Sequence, residues 1–180
     1  PLSYMRDYLA AMDSAPFAAV GPAARPPRVL AALGPRMLAL AAEQADGAHP
    51  YFQTPDHTGM ARMALGPGKL LAPEQMVVLD PDAESARAKA RVQIAVYLGL
   101  PNYTNNLRRF GFGDDDFAAG GSDRLVDAIV AWGDIDAITK RVEEHLAAGA
   151  DHVAVQVLTG DYRTVPRAEW RKLVPALRDL

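Results

Sequence analysis

A strand–turn–helix–strand unit over residues 28–52 constrains the fold more than any other stretch of the chain. Arg28–Leu33 is a short apolar run of strand length, and Gly34-Pro35-Arg36 ends it with a proline suited to the first position of a helix. Met37–Gln44 then carries apolar residues at helical spacing, and Ala48–Phe52 is a second short run. The pattern predicts a βαβ unit, in which two parallel strands are joined by a right-handed crossover.

The turn formed by Gly34, Pro35 and Arg36 is the first candidate site. A helix that begins just past the carboxyl end of a strand presents free backbone N–H groups and the positive end of its dipole, which suits a phosphate. The guanidinium of Arg36 would add charged donors. The same residues are compatible with an ordinary capped turn whose arginine faces solvent, and the residues alone leave both interpretations open.

The rest of the chain continues to alternate strands and helices. Leu70–Leu79 and His152–Leu158 have the character of strands, and Gln75–Leu79 is the firmer part of the first because Pro73 cannot lie in a central strand. Helices are predicted over Ser3–Met12, Asp56–Leu65, Ala83–Leu98, Asn102–Phe110, Asp123–Trp132, the segment that Asp134 caps, and Pro166–Leu180. Four strands alternating with helices indicate an α/β fold, either an open doubly wound sheet or part of a (β/α)8 barrel.

The length of the chain favours part of a barrel. A complete (β/α)8 barrel has about 250 residues, whereas this chain has 180. The sequence starts with Pro1 and continues at once with a helical pattern, so we expect an upstream portion to be missing. We therefore predict a single domain over residues 1–180 that forms the C-terminal half of a barrel, with about four parallel strands and a helical insertion.

The composition excludes several classes of protein. A net charge of −3 argues against a nucleic-acid-binding surface, and the absence of cysteine excludes disulfide and thiolate chemistry. No apolar run approaches the length of a membrane span. We expect a cytoplasmic protein that acts on a small-molecule substrate. The open strand edges of a partial barrel favour self-association, so we also expect a homo-oligomer.

Five segments resemble the luciferase-like monooxygenase superfamily, and within it the oxidoreductases that use the deazaflavin coenzyme F420. These segments are Ala32–Phe52, Leu65–Leu79, Tyr97–Phe112, Gly120–Asp134 and His145–Leu158. The motifs LPNYTNNLRR and SDRLVDAIVAWGD are the specific ones. The resemblance extends over nearly the whole chain and implies a luciferase-like barrel of which this chain holds strands five to eight.

The resemblance also implies a cofactor and a reaction. In this family the coenzyme lies across the carboxyl-terminal mouth of the barrel, and its phosphate is commonly held at the turn that corresponds to Gly34, Pro35 and Arg36. The implied reaction is hydride transfer between F420 and an organic substrate. An FMN-dependent monooxygenase on the same fold and a non-catalytic fragment that folds by self-association are the alternatives. The family's catalytic residues lie on the early strands, so none is assigned here and we expect no turnover by this chain alone.

His49 and Tyr51, at the end of the second predicted strand, are further candidates for the cofactor site. The ends of barrel strands face the active-site mouth, where an aromatic ring can pack against a coenzyme, whereas a hydrophobic plug is the simpler interpretation. Imidazole changes charge near neutral pH, which makes His49 the titrating group of interest. Glu74 is placed at a strand start, which faces the bottom of a barrel, so a structural role is favoured over acid–base catalysis.

A dense polar group follows the third predicted strand and consists of Tyr103, Asn105, Asn106, Arg108 and Arg109. In the superfamily this region often borders the substrate or the coenzyme tail; otherwise it would be a subunit contact or a solvated loop. No pair of histidines has the spacing of a metal site, and the acidic run over residues 114–116 lacks the pattern of a calcium loop, so we predict no bound metal.

Overall fold

The computed structural model describes residues 2–178 and residue 180. Its strands are β1 (Val29–Leu30), β2 (Gly47–Ala48), β3 (Leu70–Leu71), β4 (Glu74–Val78), β5 (Val130–Trp132) and β6 (Ala154–Val157). Its helices are α1 (Leu2–Ser14), α2 (Pro35–Gln44), α3 (Pro55–Leu65), α4 (Ala83–Leu98), α5 (Pro101–Arg108), α6 (Asp114–Phe117), α7 (Asp123–Ile129), α8 (Ile135–Ala147) and α9 (Arg167–Leu177). Among the helices of the described residues, none is both long and apolar enough to cross a membrane.

The strands form two parallel three-stranded sheets that share one continuous segment of chain. β2 lies between β1 and β3, and β4 lies between β5 and β6. Ala72 and Pro73 separate β3 from β4, but hydrogen bonding continues across this break. The amide of Glu74 donates to the carbonyl of Pro50 at 2.9 Å, and the amide of Ala154 donates to the carbonyl of Pro73 at 2.9 Å. The strands before and after this segment therefore flank it on opposite edges.

The strand β5 lies where the sequence predicts the end of a helix. The helix predicted over Asp123–Trp132 ends at Ile129, and the next three residues pair in parallel with Met76–Val78. β5 lies on the same edge of this segment as β2, because the carbonyl of Val78 points to the edge from which the amide of Glu74 donates. Pairing with a preformed strand therefore outweighs the helical pattern of the sequence at this point.

Helices cover both faces of β4. Met76 and Val78 belong to an apolar cluster with α4 and α7, whereas Val77 packs with Ile138 of α8 and Leu173 of α9. Because neighbouring side chains of a strand point to opposite faces, these two clusters lie on opposite sides of the sheet. A third cluster joins α1, α2 and α3 to the first three strands. The α/β class and the parallel strands predicted from the sequence are confirmed.

A series of buried polar side chains connects α3 and α8 to β4. Nε2 of His145 lies 2.8 Å from Oε1 of Gln75, and its Nδ1 lies 2.8 Å from the hydroxyl of Thr58. Burial lowers the pKa of His145 to about 4, so the ring is neutral at pH 7. A neutral ring that donates to Gln75 and accepts from Thr58 satisfies both nitrogens, and we assign His145 a structural role.

Candidate functional site

The turn at Gly34 leaves part of the N-terminus of α2 free. Gly34 is the N-cap in an extended conformation, no side chain caps the helix, and Pro35 occupies its first turn. The amides of Met37 and Leu38 both donate to the carbonyl of Gly34 at 3.0 Å. Over the described residues, the amide of Arg36 has no hydrogen-bond partner. One main-chain donor and the positive end of the helix dipole therefore remain available for an anion.

Two arginines lie at this turn without a carboxylate partner in the described part of the chain. Arg36 is exposed and belongs to the turn itself. Arg109, which follows α5, is brought there by the fold: both terminal nitrogens of its guanidinium lie 4.0 Å from the position that a Cβ on Gly34 would take. The Arg109 guanidinium therefore packs directly against the turn. From the sequence alone, Arg109 belongs to a polar group of undetermined role.

Buried polar atoms surround the same turn. Asn106 is 1 % exposed; its Oδ1 accepts a hydrogen bond from Nη1 of Arg109 at 3.5 Å, and its Nδ2 has no acceptor among the described residues. His57 is fully buried, and its Nε2 donates to the carbonyl of Leu33 at 2.7 Å. Burial lowers the pKa of His57, and the charge of Arg109 lowers it further. The neutral His57 ring thus holds the residue that precedes the turn.

His49 and Tyr51 follow β2, and both side chains already have partners. Nδ1 of His49 lies 2.5 Å from the carbonyl oxygen of Ala72. The hydroxyl of Tyr51 donates to Oε1 of Gln156 at 2.8 Å and lies 2.9 Å from the hydroxyl of Tyr97. Both side chains are half-buried. The cofactor role assigned to them from the sequence stays a prediction, as does that of Gly34, Pro35 and Arg36.

Tyr51 belongs to a cluster of four aromatic rings with Phe52, Tyr97 and Tyr103. Adjacent ring centroids lie 5.0–6.4 Å apart. Phe52 has a left-handed backbone with φ of 56°, which is unusual for a residue other than glycine. Tyr103 lies on α5, so this helix connects the aromatic cluster to the turn where Arg109 lies. We call the turn at residues 34–36, Asn106, Arg109 and the four rings the mouth site.

Glu74 lies beneath the aromatic cluster as a buried carboxyl group. It is 5 % exposed, its Oε1 has no partner among the described residues, and its Oε2 is 3.5 Å from the amide of Phe52. Burial raises its pKa to about 8, although the hydrogen bond from Phe52 lowers it. Burial also raises the pKa of Tyr51 and Tyr103, and the charge of Glu74 contributes to both shifts.

Glu74 is the first residue of β4 and pairs with the first residue of β6, so it lies at a strand start, as predicted from the sequence. The strand segment begins at Leu70, and Glu74 pairs with Pro50, beyond the carboxyl end of β2. On the edge that faces β2, Glu74 is therefore level with Pro50, the residue before Tyr51.

Solved structures of redox enzymes share this arrangement of strands and helices. An F420-dependent tetrahydromethanopterin reductase from Methanopyrus kandleri superposes with a TM-score of 0.61 and 22% identity, over 83% of this chain and 49% of that one. An F420-dependent secondary alcohol dehydrogenase, solved with an F420–acetone adduct, gives a TM-score of 0.60 and 15% identity over 88% of this chain and 51% of that one. The chain has the luciferase-like fold. The resemblance seen in the sequence motifs is thereby confirmed at the level of the fold.

The luciferase-like fold also includes an EDTA monooxygenase from Chelativorans sp. BNC1, with a TM-score of 0.61 and 12% identity over 89% of this chain and 46% of that enzyme. The chain thus spans about half the length of the solved structures it matches. No family model and no curated protein sequence matches the chain. Identities at this level establish the fold alone.

Proposed function

We propose that this chain supplies the coenzyme-binding side of an F420-dependent oxidoreductase and corresponds to strands five to eight of a luciferase-like barrel. The observation that carries the proposal is the N-terminus of α2 with the unbonded amide of Arg36 and two arginines that form no ion pair with a described residue, in a fold shared with two F420-dependent enzymes. When bound, the coenzyme would supply a hydride at its C5 to an organic substrate, or accept one from it.

The residues of this chain would bind and orient the coenzyme. The amide of Arg36 and its guanidinium face a phosphate as donors, and the positive end of the α2 dipole stabilises its charge. The rings of Tyr51, Tyr97 and Tyr103 are only partly buried and would border the ring system of the coenzyme. The carboxyl group of Glu74 is protonated at pH 7, because its pKa is about 8, so it adds no negative charge beside an anionic coenzyme.

The phosphate contact is tested by titrating F420 into the protein and into Arg36→Ala, and following the change in absorbance. We expect the variant to bind F420 about 5- to 30-fold more weakly, because a charge-assisted hydrogen bond to the phosphate is lost. Arg171→Ala is the matched control, since Arg171 is exposed on α9 and outside the mouth site. Equal affinity of Arg36→Ala and the parent protein would contradict the assignment.

An FMN-dependent monooxygenase is the second candidate, because one of the solved structures with this fold is a monooxygenase. Both coenzymes carry a phosphate that would bind at the turn, so the protein can distinguish them only by their ring systems. A parallel titration with FMN decides between the two. Tighter binding of F420 supports the first proposal, whereas exclusive binding of FMN, with oxygen consumption by the reduced form, supports the second.

A further inference from the structure

Arg109 has different surroundings from the neighbouring arginines on α4, α5 and α7. Arg87, Arg91, Arg108 and Arg124 each form an ion pair with an aspartate. Arg109 forms no ion pair with any described residue, and its two hydrogen bonds, to the carbonyl of Asn105 at 3.4 Å and to Oδ1 of Asn106 at 3.5 Å, both involve Nη1. Its remaining donors have no partner among the described residues, and the guanidinium lies against the Gly34 turn.

Asn106 provides an independent indication that this place receives a ligand. Buried polar atoms in native proteins nearly always have a hydrogen-bond partner. The amide of Asn106 is buried and turns its oxygen to Arg109, yet its Nδ2 has no acceptor within the described residues. An oxygen atom of a ligand held by Arg109 is the kind of acceptor that this amide lacks.

We propose that α5 forms the second half of the anion site, in which Arg109, positioned by Asn106, binds a phosphate beside the N-terminus of α2. The inference rests on the proposed binding of a phosphorylated coenzyme at the turn. Arg109 contributes a planar pair of donors, which matches two oxygens of one phosphate group. The turn and Arg36 bind the remaining oxygens.

The same helix also reaches the aromatic cluster. Tyr103 of α5 packs against the rings of Phe52 and Tyr97, with centroids 5.4 and 5.3 Å apart, while Arg109 lies at the turn. Six residues of helix separate the two side chains, which corresponds to about 9 Å.

The test uses inorganic pyrophosphate as the probe, so that the anion site is measured without the coenzyme ring. We expect Arg109→Gln to weaken the binding of pyrophosphate, measured by calorimetric titration, by about 10- to 100-fold. Arg108→Gln is the matched control, because it removes the same charge from the neighbouring residue, whose guanidinium pairs with Asp114. We expect Arg108→Gln to change the affinity less than about twofold. Equal losses in the two variants, or no binding of pyrophosphate by the parent protein, would overturn the inference.

A second pair of variants tests the positioning role of Asn106. Asn106→Asp places a carboxylate against Arg109, whereas Asn105→Asp adds the same charge on an exposed neighbour. We expect Asn106→Asp to lower the affinity for pyrophosphate at least fivefold more than Asn105→Asp, with both variants still showing a cooperative thermal transition. Equal effects of the two substitutions would contradict the positioning role.

Titrations of the same variants with F420 and FMN separate this inference from the proposed function. If a coenzyme binds equally well to the parent protein and to Arg109→Gln, the proposed function stands and the role of Arg109 is refuted. If pyrophosphate binding depends on Arg109 while neither coenzyme binds, the anion site stands and the coenzyme assignment is refuted.

Discussion

Gly47→Ala is expected to destabilise the fold more than any other small substitution in the sheet. Gly47 is buried in β2, and a Cβ built on it would lie 2.2 Å from the carbonyl oxygen of Leu70 and 2.7 Å from its Cβ. Both are fixed by the pairing of β2 with β3, so the methyl group cannot be accommodated unless the strands separate. We expect a loss of roughly 3 kcal/mol or more in the free energy of unfolding, measured by chemical denaturation.

Gly59→Ala is the control for this prediction. Gly59 lies inside α3, and nothing lies within 4 Å of a Cβ built there. The same substitution should therefore stabilise the protein by about 0.5–1 kcal/mol, because alanine favours a helix over glycine. Unfolding of Gly47→Ala at the same denaturant concentration as the parent protein would contradict the close approach of β2 and β3.

Glu74→Gln is expected to stabilise the protein at alkaline pH. The pKa of Glu74 is about 8 in the folded chain, against an ordinary value of 4.5. Between these values the folded state binds more protons than the unfolded state, so the stability of the parent protein falls as the pH rises from about 4.5 to 8 and is then constant. Glutamine does not ionise, so the variant does not lose stability in this way. The full shift corresponds to roughly 5 kcal/mol as an upper limit, and we expect about 2–4 kcal/mol at pH 9.

The measurement is a series of denaturation curves for both proteins between pH 5 and pH 9. The advantage of the Glu74→Gln variant should be small at pH 5 and should grow up to about pH 8. Glu143→Gln, on the exposed side of α8, removes the same charge from the surface and should show no such trend. An advantage that is the same at pH 5 and pH 9 would show that the carboxyl group of Glu74 is ionised across the range.

Local patterns in the sequence predict most of the elements but not their exact limits. The βαβ unit, α3, α4 and the strand after Gly149 follow from apolar periodicity and from turn residues, which act over a few positions. β5 does not, because three residues after a helix become a strand only through pairing with β4. The strand predicted over Leu70–Leu79 does begin at Leu70, but Ala72 and Pro73 divide it into β3 and β4.

The mouth site could be predicted only in part. The turn at Gly34 and Arg36 is contiguous in sequence, so its helix N-terminus is visible in the order of residues. Arg109 reaches this turn through the packing of α5, with Asn106 bound to it, and no local pattern indicates that contact. The LRR portion of the motif LPNYTNNLRR identified the polar group but not which of its two arginines faces the turn. The structure answers that question, because Arg108 pairs with Asp114 and Arg109 lies at the turn.

The most direct test of the phosphate site at the Gly34 turn is the contribution of the phosphate to coenzyme binding. The affinity of the protein for FMN is compared with that for riboflavin, and the affinity for F420 with that for its phosphate-free deazaflavin core. If the turn at Gly34 holds the phosphate, the phosphorylated member of at least one pair binds about tenfold or more tightly, and Arg36→Ala reduces that advantage. Equal affinities within both pairs, with or without Arg36, would contradict the assignment of this turn as a phosphate site.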